Sequence, residues 1–159
     1  MLIFEGLLDK VDTENELSFV LGHEMGHMVN RDHLRAMGRS LVLIALSTLI
    51  LGSDNEISDI LTNSLNITEL AFSRQQETMA DAFGLDVLNC YYGHISGASA
   101  FFRKMNDEHP TRPKMSHYFS THPDPDRRID FMKAYAVKQE YPLGDTKPIA
   151  PEMKAGKPE

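Results

Sequence analysis

The stretch LGHEMGHMVNRDH, residues 21 to 33, constrains the fold more than any other part of the chain. His23 and His27 are four positions apart, and residues at this spacing lie on one face of an α-helix, about 6 Å from each other. Both imidazoles can then reach one metal ion, which histidine nitrogen binds at about 2.0–2.1 Å. Glu24 would lie beside the open coordination position, where a carboxylate can accept a proton from water. The stretch therefore predicts a helix that carries two metal ligands and a base.

Helical patterns cover most of the chain and predict a mainly α fold. Thr13 and Glu16 form a T-x-x-E capping box, which begins a helix that the apolar pattern continues through Met37. Further helices are predicted over residues 41–51, 57–89 and 98–107, and from Asp124, which is expected to cap the last helix with Pro125 in its first turn. Strand signal is weak, apart from residues 2–8, which could form one strand.

Composition fits a single globular domain over residues 1–140, since 42% of the 159 residues are hydrophobic and 25% are charged. A net charge of −7 and the absence of basic runs argue against nucleic-acid binding. Residues 141–159 are rich in Pro, Gly and Lys, and this composition predicts a disordered tail. The N-terminal residues lack the basic and apolar regions of a secretory signal, so none is expected on this chain.

The apolar run LVLIALSTLIL, residues 41–51, is too short to cross a bilayer alone, because as a helix it spans about 16 Å against roughly 30 Å of hydrocarbon. A buried helix of the core or cleft is the favoured interpretation. The alternative is a surface that contacts a membrane or covers the active site.

A third metal ligand is needed, and the residues leave two candidates open. His33 gives a metzincin-like spacing if the helix ends near Asn30, but it would face away from the metal if the helix continues. Glu77 is the other candidate. Asp81 lies four positions after it, where an aspartate could orient one histidine by accepting its second N–H. The apolar pattern favours a continuing helix, and therefore Glu77.

Three blocks of the sequence, ENELSFVLGHEMGHMVNRDH, SRQQETMAD and STHPDPDRRI, together resemble the M48 family of gluzincin metallopeptidases. This family includes the HtpX-like heat-shock proteases and the CAAX prenyl proteases. The resemblance covers roughly residues 5 to 135. It implies an α+β zincin-like domain whose HExxH helix and a second, glutamate-bearing helix hold one zinc ion per chain. It implies that His23, His27 and Glu77 are the zinc ligands and that Glu24 is the general base. It also implies that Asp81 orients a ligand and that His122 lies near the metal, where it would stabilise an oxyanion or block the site.

The resemblance also implies a protein or peptide substrate, with unfolded or misfolded proteins expected, and a location in the cell envelope. Members of the family usually have sheet strands before the segment Gly6–Leu8, so this chain is expected to lack those strands or to be a fragment. Two other interpretations of function remain: a zinc-stabilised binding or chaperone-like module without turnover, and a membrane-associated regulator. Arg128 could reach the site or could equally occupy a solvated position.

Overall fold

The structure is a computed structural model that describes residues 5–51, 71–107 and 121–154. These residues form helices and no β-strand, and the mainly α prediction is confirmed for them. An isolated antiparallel bridge joins Thr13 to Pro148. The helices in chain order are α1 (Glu5–Leu8), α2 (Glu14–Val29), α3 (Asp32–Leu51), α4 (Arg74–Tyr92), α5 (Ala100–Asp107), α6 (Pro125–Lys138) and α7 (Pro151–Lys154).

The capping residue predicted for α2 is present. The Oγ1 atom of Thr13 accepts a hydrogen bond from the backbone N–H of Glu16 at 3.1 Å, which satisfies one donor of the first turn. The Glu16 carboxylate accepts from the backbone N–H of Asp12 at 3.2 Å and lies 2.6 Å from Lys104 Nζ. The start of α2 is thereby tied to α5.

The prediction that this helix continues through Met37 is wrong. Helix α2 ends at Val29, and Arg31 has a φ of 55°, which lets the chain turn before α3 begins at Asp32. A left-handed residue costs roughly 1–2 kcal/mol. The turn brings the Asp32 carboxylate into the interior, where it contacts His27 Nδ1 at 2.9 Å and accepts from Gln76 Nε2 at 2.9 Å. These buried contacts offset the cost, and apolar periodicity does not encode them.

Two other predicted boundaries also change. Residues 5–8 are helical rather than extended, while residues 2–4 lie outside the described part. Helix α4 begins at Arg74 rather than near residue 57, because Ser73 and Gln76 form a reciprocal capping box. The rest of that predicted start, residues 57–70, lies outside the described residues. Asp124 does occupy the N-cap position of α6, with Pro125 in the first turn, but its side chain makes no capping hydrogen bond and its φ is 66°.

The apolar run from residue 41 to 51 forms the second half of α3 rather than a separate buried helix. Its side chains Leu41, Val42, Leu46 and Leu49 are exposed, so the core interpretation is wrong for these residues. They share one face of the helix, given the 3.6-residue period. Among the described helices, none has the length and apolar character required to span a bilayer.

The core lies where α2 and α4 pack against α5 and α6. Its fully buried side chains include Phe19, Leu85, Leu88, Phe101 and Phe102. Helices α2 and α4 approach closely because small residues face each other. A Cβ atom added at Gly22 would lie 3.1 Å from the Cα of Gly84. This approach brings side chains of α4 within reach of those on the histidine-bearing face of α2.

Gly26→Ala is expected to destabilise the fold by about 1–3 kcal/mol, as overpacked cores do. The added Cβ would lie 2.9 Å from the Cα of Ala80, so the backbone of α4 must move. Gly38→Ala is the matched control, because nothing lies within 4 Å of its added Cβ. The free energy of unfolding of the control should rise by roughly 0.5–1 kcal/mol, because alanine lowers the backbone entropy of the unfolded chain. Urea unfolding followed by circular dichroism measures both values, and equal stabilities would contradict the close packing of α2 and α4.

Residues 147–149 pair with the start of α2, Pro142 O accepts from the N–H of Ile95, and residues 151–154 form α7, so the prediction of disorder is wrong for this part of the tail. Lys147 O accepts from the N–H of Glu14 at 2.8 Å, and Ile149 donates its N–H to Asp12 O at 3.0 Å. Asn15 Oδ1 accepts from the N–H of Lys147 at 2.8 Å, and the Ile149 side chain joins the core. Composition underestimates the order of this segment, because one buried isoleucine and a set of backbone hydrogen bonds fix its position. Residues 155–159 lie outside the described part.

Candidate metal centre

The helical spacing of His23 and His27 places both imidazoles inside the protein. Both residues are fully buried, and their Nε2 atoms lie 3.1 Å apart. Phe72 stacks on the His27 ring, with 3.9 Å between the ring centroids and 17° between the planes. The two nitrogens therefore point at a common location that an aromatic ring shields on one side.

Glu77 of α4 and His122, which precedes α6, reach the same location. Glu77 Oε1 lies 3.4 Å from His27 Nε2 and 3.1 Å from His122 Nδ1. His122 Nδ1 is also 3.3 Å from His23 Nε2. One donor atom from each of these four buried residues lies within 4.8 Å of all the others. Three separate parts of the chain thus contribute to one cluster.

Two buried aspartates hold the opposite nitrogens of the paired histidines. Asp81 Oδ1 lies 3.0 Å from His23 Nδ1, and Asp32 Oδ2 lies 2.9 Å from His27 Nδ1. A carboxylate in this position selects the tautomer that carries its proton on Nδ1. We assign that tautomer to both rings from these partners, which leaves both Nε2 lone pairs directed into the cluster.

Arg128 of α6 ties the acidic groups together from the other side. Its Nε donates to Asp81 Oδ2 at 2.9 Å, its Nη2 donates to Asp81 Oδ1 at 2.6 Å, and its Nη1 lies 2.8 Å from Glu77 Oε2. The guanidinium also lies 4.2 Å from the centroid of the Phe102 ring. Arg128 is buried at the site, so of the two positions that the sequence left open, a place at the site and a solvated position, it occupies the first. It fixes the carboxylates of α4 relative to α6.

Burial and charge set the ionisation of the cluster. Burial by itself would raise the pKa of Glu77, but the contacts with the His122 and His27 rings and the charge of Arg128 hold it well below its ordinary value. Burial, together with the charge of Arg128, lowers the pKa of His23. Burial also opposes the charged form of His27, yet its contacts with the carboxylates of Glu77 and Asp32 raise its pKa. The Glu77 carboxylate is thus ionised.

The donor set and its spacing suit a small tetrahedral cation. Ligands about 2.0–2.1 Å from an ion in tetrahedral geometry are separated by about 3.3 Å. The observed separations are 3.1 Å between His23 and His27, 3.4 Å between His27 and Glu77, 3.6 Å between His23 and Glu77, and 3.3 Å between His23 and His122. Two imidazoles and a carboxylate are also ligands that zinc binds in proteins. The donor types and their separations therefore fit a zinc-sized ion.

The residues predicted from the sequence have different places relative to this cluster. His23, His27, Glu77 and His122 form it, and Asp81 contacts it. Glu24 lies at its edge, with its side chain 28% exposed and Oε1 at 3.5 Å from His122 Nε2. His33 lies outside it and is exposed on α3, with its ring centroid 6.2 Å from that of His27.

Sequence reasoning missed Asp32, Gln76 and Phe72. Asp32 lies in the polar run Asn30-Arg31-Asp32, which the apolar periodicity includes in one continuous helix. A helix end at this run makes Asp32 an acidic residue in the first turn of a new helix, and that is the local signal for it. Gln76 reaches Asp32 from 44 residues away in sequence, and no local signal identifies such a pair.

Comparison with known proteins adds an independent observation. Residues 1–136 match the sequence profile of Peptidase family M48. The chain is similar to the metalloprotease LoiP of Escherichia coli, with 30% identity over 86% of this chain and 56% of that protein. It is also similar to the human mitochondrial metalloendopeptidase OMA1, with 29% identity over 83% of this chain and 28% of that protein. Over a shorter region it is 31% identical to the E. coli metalloprotease YcaL, covering 54% of this chain and 35% of that protein.

The chain spans between about a quarter and just over half of the length of the curated relatives that it matches. No solved structure matches it. The profile match covers most of the 159 residues, including every member of the buried cluster and Glu24. The chain belongs to peptidase family M48.

Proposed function

We propose that the chain is a zinc-dependent endopeptidase domain that hydrolyses peptide bonds of unfolded or misfolded proteins. The observation that carries this proposal is the convergence of His23, His27 and Glu77 at separations suited to one ion, with Glu24 at the edge of the cluster. In this proposal His23, His27 and Glu77 are the zinc ligands, and Asp81 orients His23 through its Nδ1. Membership of a peptidase family and the metalloprotease relatives support the same activity.

When bound, zinc would lower the pKa of a water molecule and polarise the carbonyl of the scissile bond. Glu24 is the residue that moves protons. Its carboxylate is partly exposed and none of its oxygens belongs to the donor cluster, so it is free to accept a proton from the attacking water. It then passes that proton to the leaving amine. Phe72 and the buried walls exclude solvent from the ligand side of the site.

His122 has one nitrogen at the cluster and the other towards Glu24. We propose that it donates a hydrogen bond to the reacting carbonyl oxygen once a substrate displaces it from the cluster.

The position of His122 also favours a second function. As the structure stands, His122 supplies a fourth donor, and a site with four protein ligands is a structural one. A zinc-stabilised binding module without turnover would have this arrangement. Higher activity in His122→Ala would identify the side chain as a blocking ligand, and lower activity would support the hydrogen-bonding role.

The proposed activity is tested with the purified chain and casein as an unfolded substrate. We expect about one zinc per chain by elemental analysis, caseinolysis that a chelator abolishes, and recovery of activity on addition of zinc. Zinc at this ratio with retained casein binding but no cleavage would support the binding module instead.

Asp32→Asn is expected to weaken zinc binding about 10–100-fold. The amide has no negative charge and only one acceptor oxygen, so it cannot accept from both His27 and Gln76 as the carboxylate does. A competition titration with a chromophoric chelator measures the affinity. Asp130→Asn is the matched control, since Asp130 is exposed and lies 3.3 Å from Lys133 on the surface of α6. Unchanged affinity in Asp32→Asn, with an unchanged melting temperature, would contradict the orienting role.

Membrane contact stays a prediction, and the exposed apolar side chains of α3 support it. Arg35 and Arg39 are exposed near the same face and would favour anionic lipid headgroups. A location in the cell envelope, which the family resemblance implies, agrees with such contact. Co-sedimentation with anionic vesicles that Leu46→Asp removes would support it, and sedimentation unchanged by that substitution would contradict it.

A further inference from the structure

A cavity of about 220 Å³ lies directly beside the histidine cluster, between the first turns of α4 and α6. Its lining includes Glu77, which belongs to the cluster, together with Arg74, Asp124, Arg127, Arg128 and Phe131. Pockets that hold drug-sized ligands have volumes of about 300–1,000 Å³. This cavity is smaller, and its size suits one side chain of a bound peptide.

The positive charge of the cavity lies at its exposed mouth. On the inner wall, Arg128 is paired with the carboxylates of Asp81 and Glu77. Arg74 and Arg127 share the single carboxylate of Asp124, whose Oδ2 lies 4.0 Å and 3.7 Å from their Nε atoms. Those distances exceed the roughly 2.7–2.9 Å of a charge-assisted hydrogen bond. The exposed mouth of the cavity, formed by Arg74, Arg127 and Asp124, therefore carries one more positive than negative charge, within a chain whose net charge is −7.

The positions of the two arginines are electrostatically unfavourable for the helices themselves. Arg74 is the first residue of α4, and Arg127 lies in the first turn of α6. Helix N-termini carry partial positive charge and favour anions. Asp124 occupies the N-cap of α6 but makes no capping hydrogen bond. Both arginine side chains are also mostly exposed, at 76% and 65%, so a ligand can reach them.

We propose that this cavity is a substrate subsite that binds a carboxylate of the peptide next to the scissile bond. The proposal rests on the proposed peptidase function and adds a substrate class to it. Arg74 and Arg127 bind the carboxylate, and Phe131 contacts the aliphatic part of the side chain. The carboxylate belongs to an aspartate or glutamate side chain or to the peptide C-terminus, and the two sources are separated by experiment.

The test uses quenched fluorescent decapeptides in an alanine, serine and leucine background, blocked at both ends, with one Glu, Gln or Lys at a scanned position. At one position adjacent to the cleaved bond, kcat/KM is expected to be about five- to tenfold higher for Glu than for Gln, as for partly exposed charge-assisted contacts. Lys is expected to be the poorest residue there. The preference should weaken as the salt concentration rises. A second set with a free C-terminus identifies the terminal carboxylate if that end alone confers the preference.

Three variants make the assignment specific. Arg127→Ala should remove most of the preference for Glu, and Asp124→Asn should increase it, because the arginines then have no internal carboxylate. Arg103→Ala, which removes an exposed arginine on α5 outside the cavity lining, should behave as the unmodified chain. These opposite signs separate a local effect from general loss of folding, which melting temperatures monitor in parallel.

The outcomes for the subsite and for the peptidase function are distinguishable. Cleavage of the Gln peptides with no preference for Glu, or a preference that Arg127→Ala leaves intact, would overturn the subsite and leave the peptidase function standing. If no peptide is cleaved, the peptidase function fails, and the subsite is decided by fluorescence anisotropy with unquenched peptides and the zinc-loaded protein. Tighter binding of Glu than of Gln, lost in Arg127→Ala, supports the subsite. Equal binding overturns it.

Discussion

Glu24→Gln is expected to reduce caseinolysis by about 10²–10⁴-fold while the protein keeps its zinc. The amide is nearly the same size as the carboxylate but cannot accept the proton of the attacking water. The oxygens of Glu24 are not among the clustered donor atoms, so zinc affinity should not change. Activity and metal content are measured on the same preparation by casein hydrolysis and elemental analysis.

The control for this variant is Glu152→Gln, an exposed glutamate on α7, which should leave activity and zinc content unchanged. Two results would contradict the proposed role of Glu24. Full activity in Glu24→Gln would show that another group accepts the proton. Loss of zinc together with activity would place Glu24 among the ligands rather than at the edge of the cluster.

Glu77→Ala is expected to be isolated without zinc and without peptidase activity, whereas His33→Ala should retain both. Glu77 lies 3.4 Å from His27 Nε2 and 3.1 Å from His122 Nδ1, while His33 is exposed on α3. Zinc content by elemental analysis and zinc affinity by chelator competition distinguish the two residues. The opposite result, with zinc lost only in His33→Ala, would assign a metzincin-type site.

Glu77→Ala also leaves the buried Arg128 without one of its carboxylate partners, and an unpaired buried charge is strongly destabilising. Glu77→Gln is therefore the second variant, because it keeps the volume of the side chain and an oxygen near Arg128. We expect this variant to fold and to bind zinc far more weakly than the unmodified chain. Normal zinc affinity in a folded Glu77→Gln would exclude the glutamate as the third ligand.

The local part of the cluster was predictable because it depends on helical period alone. His23 and His27, and likewise Glu77 and Asp81, are pairs four residues apart, and any helix places such pairs on one face. The prediction of α2 failed at its end, because Arg31 adopts a left-handed conformation that apolar periodicity does not signal. The contact that accompanies this turn, between Asp32 and Gln76, joins residues 44 positions apart.

The sequence by itself determined the helical period, the capping of α2 by Thr13 and the types of residue that can hold a metal, since each depends on neighbours within a few positions. Only the tertiary structure decided which residues meet. His122 and Arg128 contact His23 although they lie 99 and 105 positions away in the sequence. The side chain of Ile149 packs in the core although it belongs to a mostly polar tail. The physical reason is that long-range contacts depend on the packing of α2 against α4, which the facing glycines permit. They also depend on the pairing of charged groups that are buried together, as Arg128 is with Glu77 and Asp81.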